Sequence, residues 1–350
     1  MSDHLYLRPC GFLYGSDADH GVRGRRARWL AGGPVAFTMV ELIEGEPAAA
    51  VRSFHQIEDL AESRAAEIDN LIDRIVEPRA PIADLHFDRS RVMGVVNVTP
   101  DSFSDGGLYD TSEAAIAHAA RLIQEGADIL DIGGESTRPG ADAVEAAQES
   151  ERIVPVIEGL RGTKAVISAD TRKAAVMRHA AKAGAHVLND VSALTFDPDS
   201  IGAVVETELP VILMHAKGDP KTMQDDPVYD DVQLEVFDYL LARIAMCEEA
   251  GIARDKIIAD PGIGFGKTLE HNVKLLQGLS LLHGLGVPLL LGASRKRFIG
   301  VLADEPDAQK RVSGSVAAAL AGAAQGVQMI RVHDVAETCQ ALTVWNALHT

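Results

Sequence analysis

The chain has 350 residues, with 33 basic and 51 acidic side chains and a formal net charge of −18. That balance excludes a general nucleic-acid surface, which needs clustered Lys and Arg to displace counterions. Apolar residues make up 47% and charged residues 24%, which excludes disorder as the main state.

Residues 1–88 come first and read as an N-terminal α/β extension. The one basic run, Arg23 to Arg28 (RGRRAR), is short and reads as a solvated loop. VAFTMVELI (35–43) reads as a strand. In 56–76 the spacing of Ile57, Leu60, Ala61, Ile68, Leu71, Ile72 and Ile75 predicts a helix with one apolar face. Pro78 and Pro81 then punctuate a linker. Deleting residues 1–85 is expected to leave a folded domain behind.

From residue 89 to 350 a second texture begins. Apolar runs that end in polar residues recur at 91–98, 129–133, 165–170, 186–191, 210–215, 257–262, 288–294 and 329–333. Helix-like stretches lie between them, at 112–125, 142–159, 172–182, 230–250, 267–283 and 307–325, with a last one near 334–348. Strands this apolar on both faces suit a parallel sheet covered by helices. Eight strand–helix units predict a (β/α)8 TIM barrel rather than a doubly wound open sheet, which uses fewer strands.

No stretch approaches the roughly 20 apolar residues that cross a bilayer, and the start MSDHLYLRPCG lacks an apolar signal region, so no membrane association is expected. Cys10, Cys247 and Cys339 are far apart and form no CxxC pair. They fit a reducing compartment, so the expected location is cytoplasmic.

Reactive groups of such barrels gather where strands end. Here those ends are polar: Asn97, the segment 133–141 with Arg138, Asp170, Asn189, His215, Asp260, Ser294 with Lys296, and Arg331 with His333. Arg138, Lys296, Arg331 and His333 are donors suited to phosphate or carboxylate. Asn97 suits an anion or a metal-bound phosphate. Asp170 and Asp260 are acceptors that a planar heterocycle with paired N–H donors would satisfy, and Asn189 offers both a donor and an acceptor to such a ring. These residue types together predict a nitrogen heterocycle deep in the mouth and an anionic group nearer the rim.

Several familiar motifs fail. DPGIGFGKT (260–268) has Pro261 where a P-loop needs glycine. His215 and His333 lack zinc-site spacing, and no GxSxG elbow occurs. The glycines of 262–266 instead suit close backbone approach to a flat ligand, which brings Met214 and Phe265 forward as candidate contacts.

At these residues the sequence resembles the dihydropteroate synthases, a family of pterin-binding barrels. The segments that carry the resemblance are MGVVNVTPDSFSDGG (93–107), GADILDIGGESTRPGA (126–141), SADTRKA (168–174), LNDVSAL (188–194), LMHAKGDPKTMQ (213–224), DPGIGFGKTLEHN (260–272), GASRKRFIG (292–300) and RVHDVAET (331–338). They run from about residue 91 to the end, and NVTPDSFSDGG with GESTRPGA is highly specific. Arg172, the Ala216–Lys217 pair and SGS (313–315) depart from the common pattern without removing a residue used below.

The resemblance implies that dihydropterin hydroxymethyl diphosphate and 4-aminobenzoate are joined into 7,8-dihydropteroate, with diphosphate released and Mg²⁺ as cofactor. The C–O bond to diphosphate breaks first and leaves a pterin-methyl cation for the aniline nitrogen to attack. Carried over by position, Asp170, Asn189, Asp260 and Lys296 bind the pterin, and Met214 and Phe265 line its slot. Asn97, Arg331 and His333 hold the diphosphate, and Asn97 its metal. Asp105, Arg138 and Lys296 are the catalytic set, with Arg138 also facing the leaving group. Phe103, Thr137, Pro139 and Ser294 shape the aminobenzoate pocket, where sulfonamides mimic the substrate. The resemblance further implies a homodimer through the Ala- and Leu-rich helices at the C-terminal end, and says nothing about residues 1–88.

Two rival functions remain at this level. A corrinoid-linked methyltetrahydrofolate methyltransferase would share the Asp and Asn contacts, with less use for Arg138, Lys296 and the Arg331–His333 pair. A non-catalytic pterin-binding protein would use residues 1–88 as its interaction module; the loop residues Asp105 and Arg138 speak against it.

Overall fold

The computed structural model describes residues 4–60, 66–99, 108–135, 144–218 and 226–349. The strand read at 35–43 is present as β3 (Val35–Glu44), but it is the middle of a sheet whose other members were not foreseen. Before it come β1 (Leu5–Tyr14), α1 (Gly15–Arg23) and β2 (Arg28–Trp29); after it comes β4 (Val51–Gln56). β1 pairs antiparallel with the whole of β3, while β2 and β4 share the other side of β3. Pro9 and Gly11 interrupt the apolar run of β1, which hid it. The ladder steps over Gly11, which sits at φ +61°, passing from Cys10↔Met39 to Phe12↔Phe37. Arg23, Arg25 and Arg26 of the basic run are exposed.

Of the range read as a helix, 56–76, the described residues are 56–60 and 66–76, and Ala61 lies outside them. β4 takes Gln56, a single turn α2 spans Ile57–Leu60, and α3 spans Ala66–Val76. Its apolar stripe still does what the spacing implied. Ile57, Leu60, Ile72 and Ile75 are buried with Leu7, Phe37, Val40 and Leu42 in a core between the helices and the sheet.

The barrel follows as β5 (Arg91–Asn97), α4 (Leu108–Glu125), β6 (Ile129–Gly133), α5 (Ala146–Gly159), β7 (Val166–Asp170), α6 (Ala174–Ala183), β8 (Val187–Asp190), α7 (Ser200–Thr207), β9 (Val211–Met214), α8 (Val232–Glu249), β10 (Ile257–Asp260), α9 (Leu269–Gln277), β11 (Leu290–Leu291), α10 (Arg297–Leu302), α11 (Val312–Ala323), β12 (Met329–Val332) and α12 (Val335–Leu348). The strands pair in parallel in the order β10-β9-β8-β7-β6-β5-β12-β11, and a parallel bridge from Ala259 to Leu289 closes the ring. This is the (β/α)8 barrel that the alternation predicted. α7 and α10 were missed because eight and six residues hold too few turns to show a helical period. The helix read to 283 ends at Gln277, and residues 279–285 form a tighter 3-10 turn. No helix among the described residues is long and apolar enough to cross a membrane.

Alternation along the strands sets up the site. Met93, Ile129, Val166, Val187, Ile212, Ile258, Leu290 and Met329, one from each strand, fill the lower barrel, with Ile82 and Phe87 packed among them. Residues of the opposite parity, such as Leu130, Ile132, Ile167, Leu188 and Leu213, pack under the helices. Successive strand side chains point to opposite faces. Two residues above the apolar floor, the inward positions are therefore Val95, Asp131, Ser168, Asn189, Met214, Asp260, Gly292 and Arg331.

The segment after Pro78 and Pro81 thus carries part of the barrel floor. The N-terminal sheet is also packed onto the barrel's flank. Tyr6 and Ile43 belong to the same core as the barrel helices. The Tyr6 hydroxyl donates to Asp238 at 2.8 Å, and its ring meets Phe237 edge-on at 5.4 Å. Tyr14 donates to Ala324 O at 2.8 Å and Ser280 to Pro9 O at 2.9 Å. These contacts fasten the sheet to the barrel. Removing residues 1–85 takes Ile82 from the floor and uncovers Phe237 and the 279–285 turn. The truncated protein is expected to melt at a clearly lower temperature than the full chain in calorimetry. A truncated protein with an unchanged, cooperative melt would show that the two layers stand alone.

Candidate active site

The mouth of the barrel is built around one fully buried carboxylate. Asp131, in the middle of β6, accepts from Ser168 Oγ at 2.7 Å, Asn189 Nδ2 at 3.0 Å and Arg331 Nε at 2.7 Å. Arg331 turns its Nη2 to Asp170 at 2.9 Å. β6, β7, β8 and β12 thus meet in one hydrogen-bonded cluster. The flanking carboxylates, led by Asp131, overcome burial and hold Arg331 firmly protonated. Burial, then the charge of Asp131, pushes the Asp170 carboxyl up to about 8 against the pull of Arg331.

The other half of the mouth is the loop after β10. Asp260 is buried at the strand end, and its Oδ1 accepts the Gly262 N–H at 2.7 Å. Burial raises its pKa, while Lys296 and Arg331 pull the other way. Burial lowers Lys296 to about 8, with Asp260 opposing. The Lys296 ammonium donates to Ile263 O and stands 4.6 Å from the centre of the Phe265 ring. Gly292 lies between the two halves. A methyl placed there would sit 3.8 Å from Asp260 Oδ2 and 3.9 Å from Arg331 Cβ, so both residues border the same hollow. Met214 is buried beside Gly262 at the end of β9. Gly262 and Gly266 have φ of +65° and +63°, and a Cβ on either would strike the carbonyl of His215 or Lys217. No other residue fits both demands.

The remaining predicted positions lie around this hollow at the strand ends. Asn97 ends β5, half-buried and in register with Gly133. Ser294 is buried after β11, and His333 follows β12. The Ser294 hydroxyl lies 3.1 Å from His333 Nδ1 and accepts the His333 backbone N–H at 3.2 Å. Asp170, Asn189, Asp260, Lys296 and Arg331 are thereby brought together. Phe103, Asp105, Thr137, Arg138 and Pro139 lie outside the described residues. A groove of about 720 Å³ on the flank, lined by Ser150, Val154, Pro155, His179 and Lys182, is a seam between α5 and α6 and not part of the mouth.

Three contributors were not singled out from the sequence. Asp131 stands mid-strand in an apolar run, and the only signal was its parity: with Ile129 and Gly133 it faces the barrel interior. Lys267 is buried. Its Nζ donates to Gly262 O at 2.9 Å and Phe265 O at 3.0 Å and meets His215 Nδ1 at 2.8 Å. His215 O is a fourth, more distant acceptor at 3.4 Å, and burial lowers the Lys267 pKa well below its usual value. Lys267 thus ties the loop from below while Lys296 holds it from the mouth. Burial and then Lys267 lower His215 to about 2, so its imidazole is neutral and accepts. Glu135 is the third. It pairs with Arg172 at 3.0 Å and Lys173 at 3.2 Å and accepts the Val144 N–H at 3.0 Å, fixing both ends of the segment that carries Thr137, Arg138 and Pro139.

Comparison with known proteins places this arrangement. A family of pterin-binding enzymes matches residues 93–333. The dihydropteroate synthase of Escherichia coli strain K12 is 50% identical over 264 residues, covering 75% of this chain and 93% of that protein. A structure of Xanthomonas albilineans dihydropteroate synthase with 4-aminobenzoic acid superposes with a TM-score of 0.73 at 52% identity, over 77% of this chain and 98% of that one. The same enzyme in complex with 7,8-dihydropteroate gives 0.69 at 50% identity, over 75% and 95%. The chain belongs to the dihydropteroate synthase family.

The Asp170 geometry carries a pH signature. A carboxyl raised on folding binds more protons native than unfolded between its ordinary value near 4 and about 8, so its contribution to stability falls as pH rises through that window. Asp170→Asn removes that part of the slope. Denaturation midpoints measured at about pH 5 and about pH 8 should separate less in the variant than in the parent protein. Equal separations would show that Asp170 does not titrate there.

Proposed function

We infer that this chain joins 6-hydroxymethyl-7,8-dihydropterin diphosphate to 4-aminobenzoate, forming 7,8-dihydropteroate and diphosphate in folate synthesis. The observation that carries this reading is the shared hollow, with buried carboxylates and Asn189 at its floor and Lys296 and Arg331 beside them. A dihydropterin presents paired N–H donors and ring acceptors. Asp260 and Asp170 take the donors, Asn189 serves a donor and an acceptor, and Lys296 donates to the ring. Met214 and Phe265 close the slot on the ring's faces.

The anionic half of the substrate points outward. The bond between its methylene carbon and the diphosphate oxygen breaks as negative charge grows on the leaving group. Preorganised donors that meet this charge are the largest catalytic term in such reactions. Arg331, His333 and Arg138 supply them, and Asp105 stabilises the pterin-methyl cation left behind. The aniline nitrogen of 4-aminobenzoate, held among Phe103, Thr137, Pro139 and Ser294, attacks the methylene carbon and then loses its proton. The amine is already a nucleophile, so no strong base is required.

Mg²⁺ belongs to this reading as a partner of the diphosphate. Among the described residues no group of three or more His, Cys, Asp or Glu forms a metal cage. Asn97 offers one hard oxygen at the rim. That donor set fits an ion that keeps its waters and is held mainly by phosphate oxygens; bound there, it would neutralise charge on the leaving group. A cytoplasmic location agrees with the three free thiols. Self-association through the C-terminal helices agrees with the exposure of Val344 and Leu348 on α12.

Supplying the dihydropterin diphosphate, labelled 4-aminobenzoate and Mg²⁺ to the full chain should yield labelled pteroate; folded protein that makes none would overturn the assignment. Lys296→Ala is expected to lose pterin binding, and Arg138→Ala mainly to slow turnover. Near-normal turnover of both at saturating substrate would contradict these roles.

A further inference from the structure

The N-terminal sheet meets the barrel at the start of α8 through Arg52. On β4, Arg52 donates through Nη2 to Asp231 Oδ2 at 2.6 Å, and through Nη1 to Glu41 Oε2 at 3.3 Å. Glu41 is buried on β3 and also takes Arg8 Nε of β1 at 2.6 Å. Three strands of the sheet therefore aim one guanidinium at Asp231.

Asp231 is the N-cap of α8: its Oδ1 accepts the Gln233 N–H at 2.9 Å. Its Oδ2 accepts a second cation, Lys274 Nζ of α9, at 3.0 Å. Gln233 then donates to Lys274 O at 2.6 Å, so the start of α8 is tied twice to the last turn of α9. The glycine loop leads into the other end of α9, which is capped by Thr268. Two residues before Asp231, the Tyr229 hydroxyl donates to Gly266 O at 2.8 Å, and the Lys217 ammonium sits over the Tyr229 ring at 4.1 Å. Burial works to raise the Asp231 pKa, but Lys274, the Gln233 N–H and Arg52 outweigh it and hold the carboxylate ionised. Arg52 is only partly exposed, so this pair is less screened than an open surface bridge.

We propose that Arg52 is a positioning residue for pterin binding: through Asp231 it fixes the start of α8 against the last turn of α9, and with it the neighbouring Tyr229, whose hydroxyl holds Gly266 in the loop 262–266 that lines the pterin slot. The N-terminal sheet is then a working part of the enzyme's substrate site. The inference rests on the reading that this loop faces the pterin. The predicted effect is on the pterin substrate.

The test uses the full-length protein with Arg52→Gln, Arg52→Lys and Asp231→Asn. Asn still caps a helix but drops the charge that Arg52 meets. Arg52→Gln should raise KM for the dihydropterin diphosphate roughly threefold to tenfold, the scale of coupling through a packed network. Its kcat and its KM for 4-aminobenzoate should stay at parent values. Arg52→Lys should recover most of the affinity, and the Gln change should add little in the Asp231→Asn background. An unchanged pterin KM in Arg52→Gln overturns the proposal. So does a general loss, with kcat, both KM values and the melting temperature moving together. Asp260→Asn serves as the separate check: if it leaves pterin affinity intact, the reading of the slot itself fails, whatever Arg52 does.

Discussion

Everything at the mouth depends on the arginine that Asp131 and Asp170 hold between them. A guanidinium in a barrel interior is stable only against carboxylates, and two carboxylates this close are tolerable only with a cation between them. Removing one member of such a cluster typically costs about 3–5 kcal/mol, because the others stay buried and unpaired. The cluster thus fixes the relative positions of β6, β7, β8 and β12. Burial works to raise the Asp170 pKa against the pull of Arg331.

The second half of the site is held by different means. Lys267 and Lys296 spend their N–H bonds on the carbonyls of Gly262, Ile263 and Phe265. A loop of glycines has little side-chain packing to order it and loses much backbone freedom when it is fixed. Here two lysines and the Asp260 carboxyl supply the missing constraints. Side chains hold the floor of the hollow and main chain forms its lip.

The barrel was legible because each strand is a short apolar run and each end is polar, a pattern that survives without any contact being known. Asp170, Asn189, Asp260, Lys296 and Arg331 were legible for the same reason: they stand at ends. Asp131 was not, since a carboxylate inside ILDIG looks like an interruption until the pairing register shows which residues face inward. Lys267 was set aside with the failed phosphate-loop match, and only its buried acceptors reveal its work. The N-terminal sheet was the least legible element. Pro9 and Gly11 break the alternation of β1, and β4 carries Val51, Ser53 and Phe54 on a surface that is mostly exposed, so neither presents a one-sided apolar pattern.

The closure of the barrel has a mechanical side. β11 contributes two paired residues, and the seam to β10 is the single bridge from Ala259 to Leu289, whereas neighbours such as β5 and β6 share a five-residue ladder. Local opening follows the fewest protected amides. Solvent exchange should therefore enter this stave first, beside Ser294 and Lys296, making it the compliant hoop joint of an otherwise stiff cask.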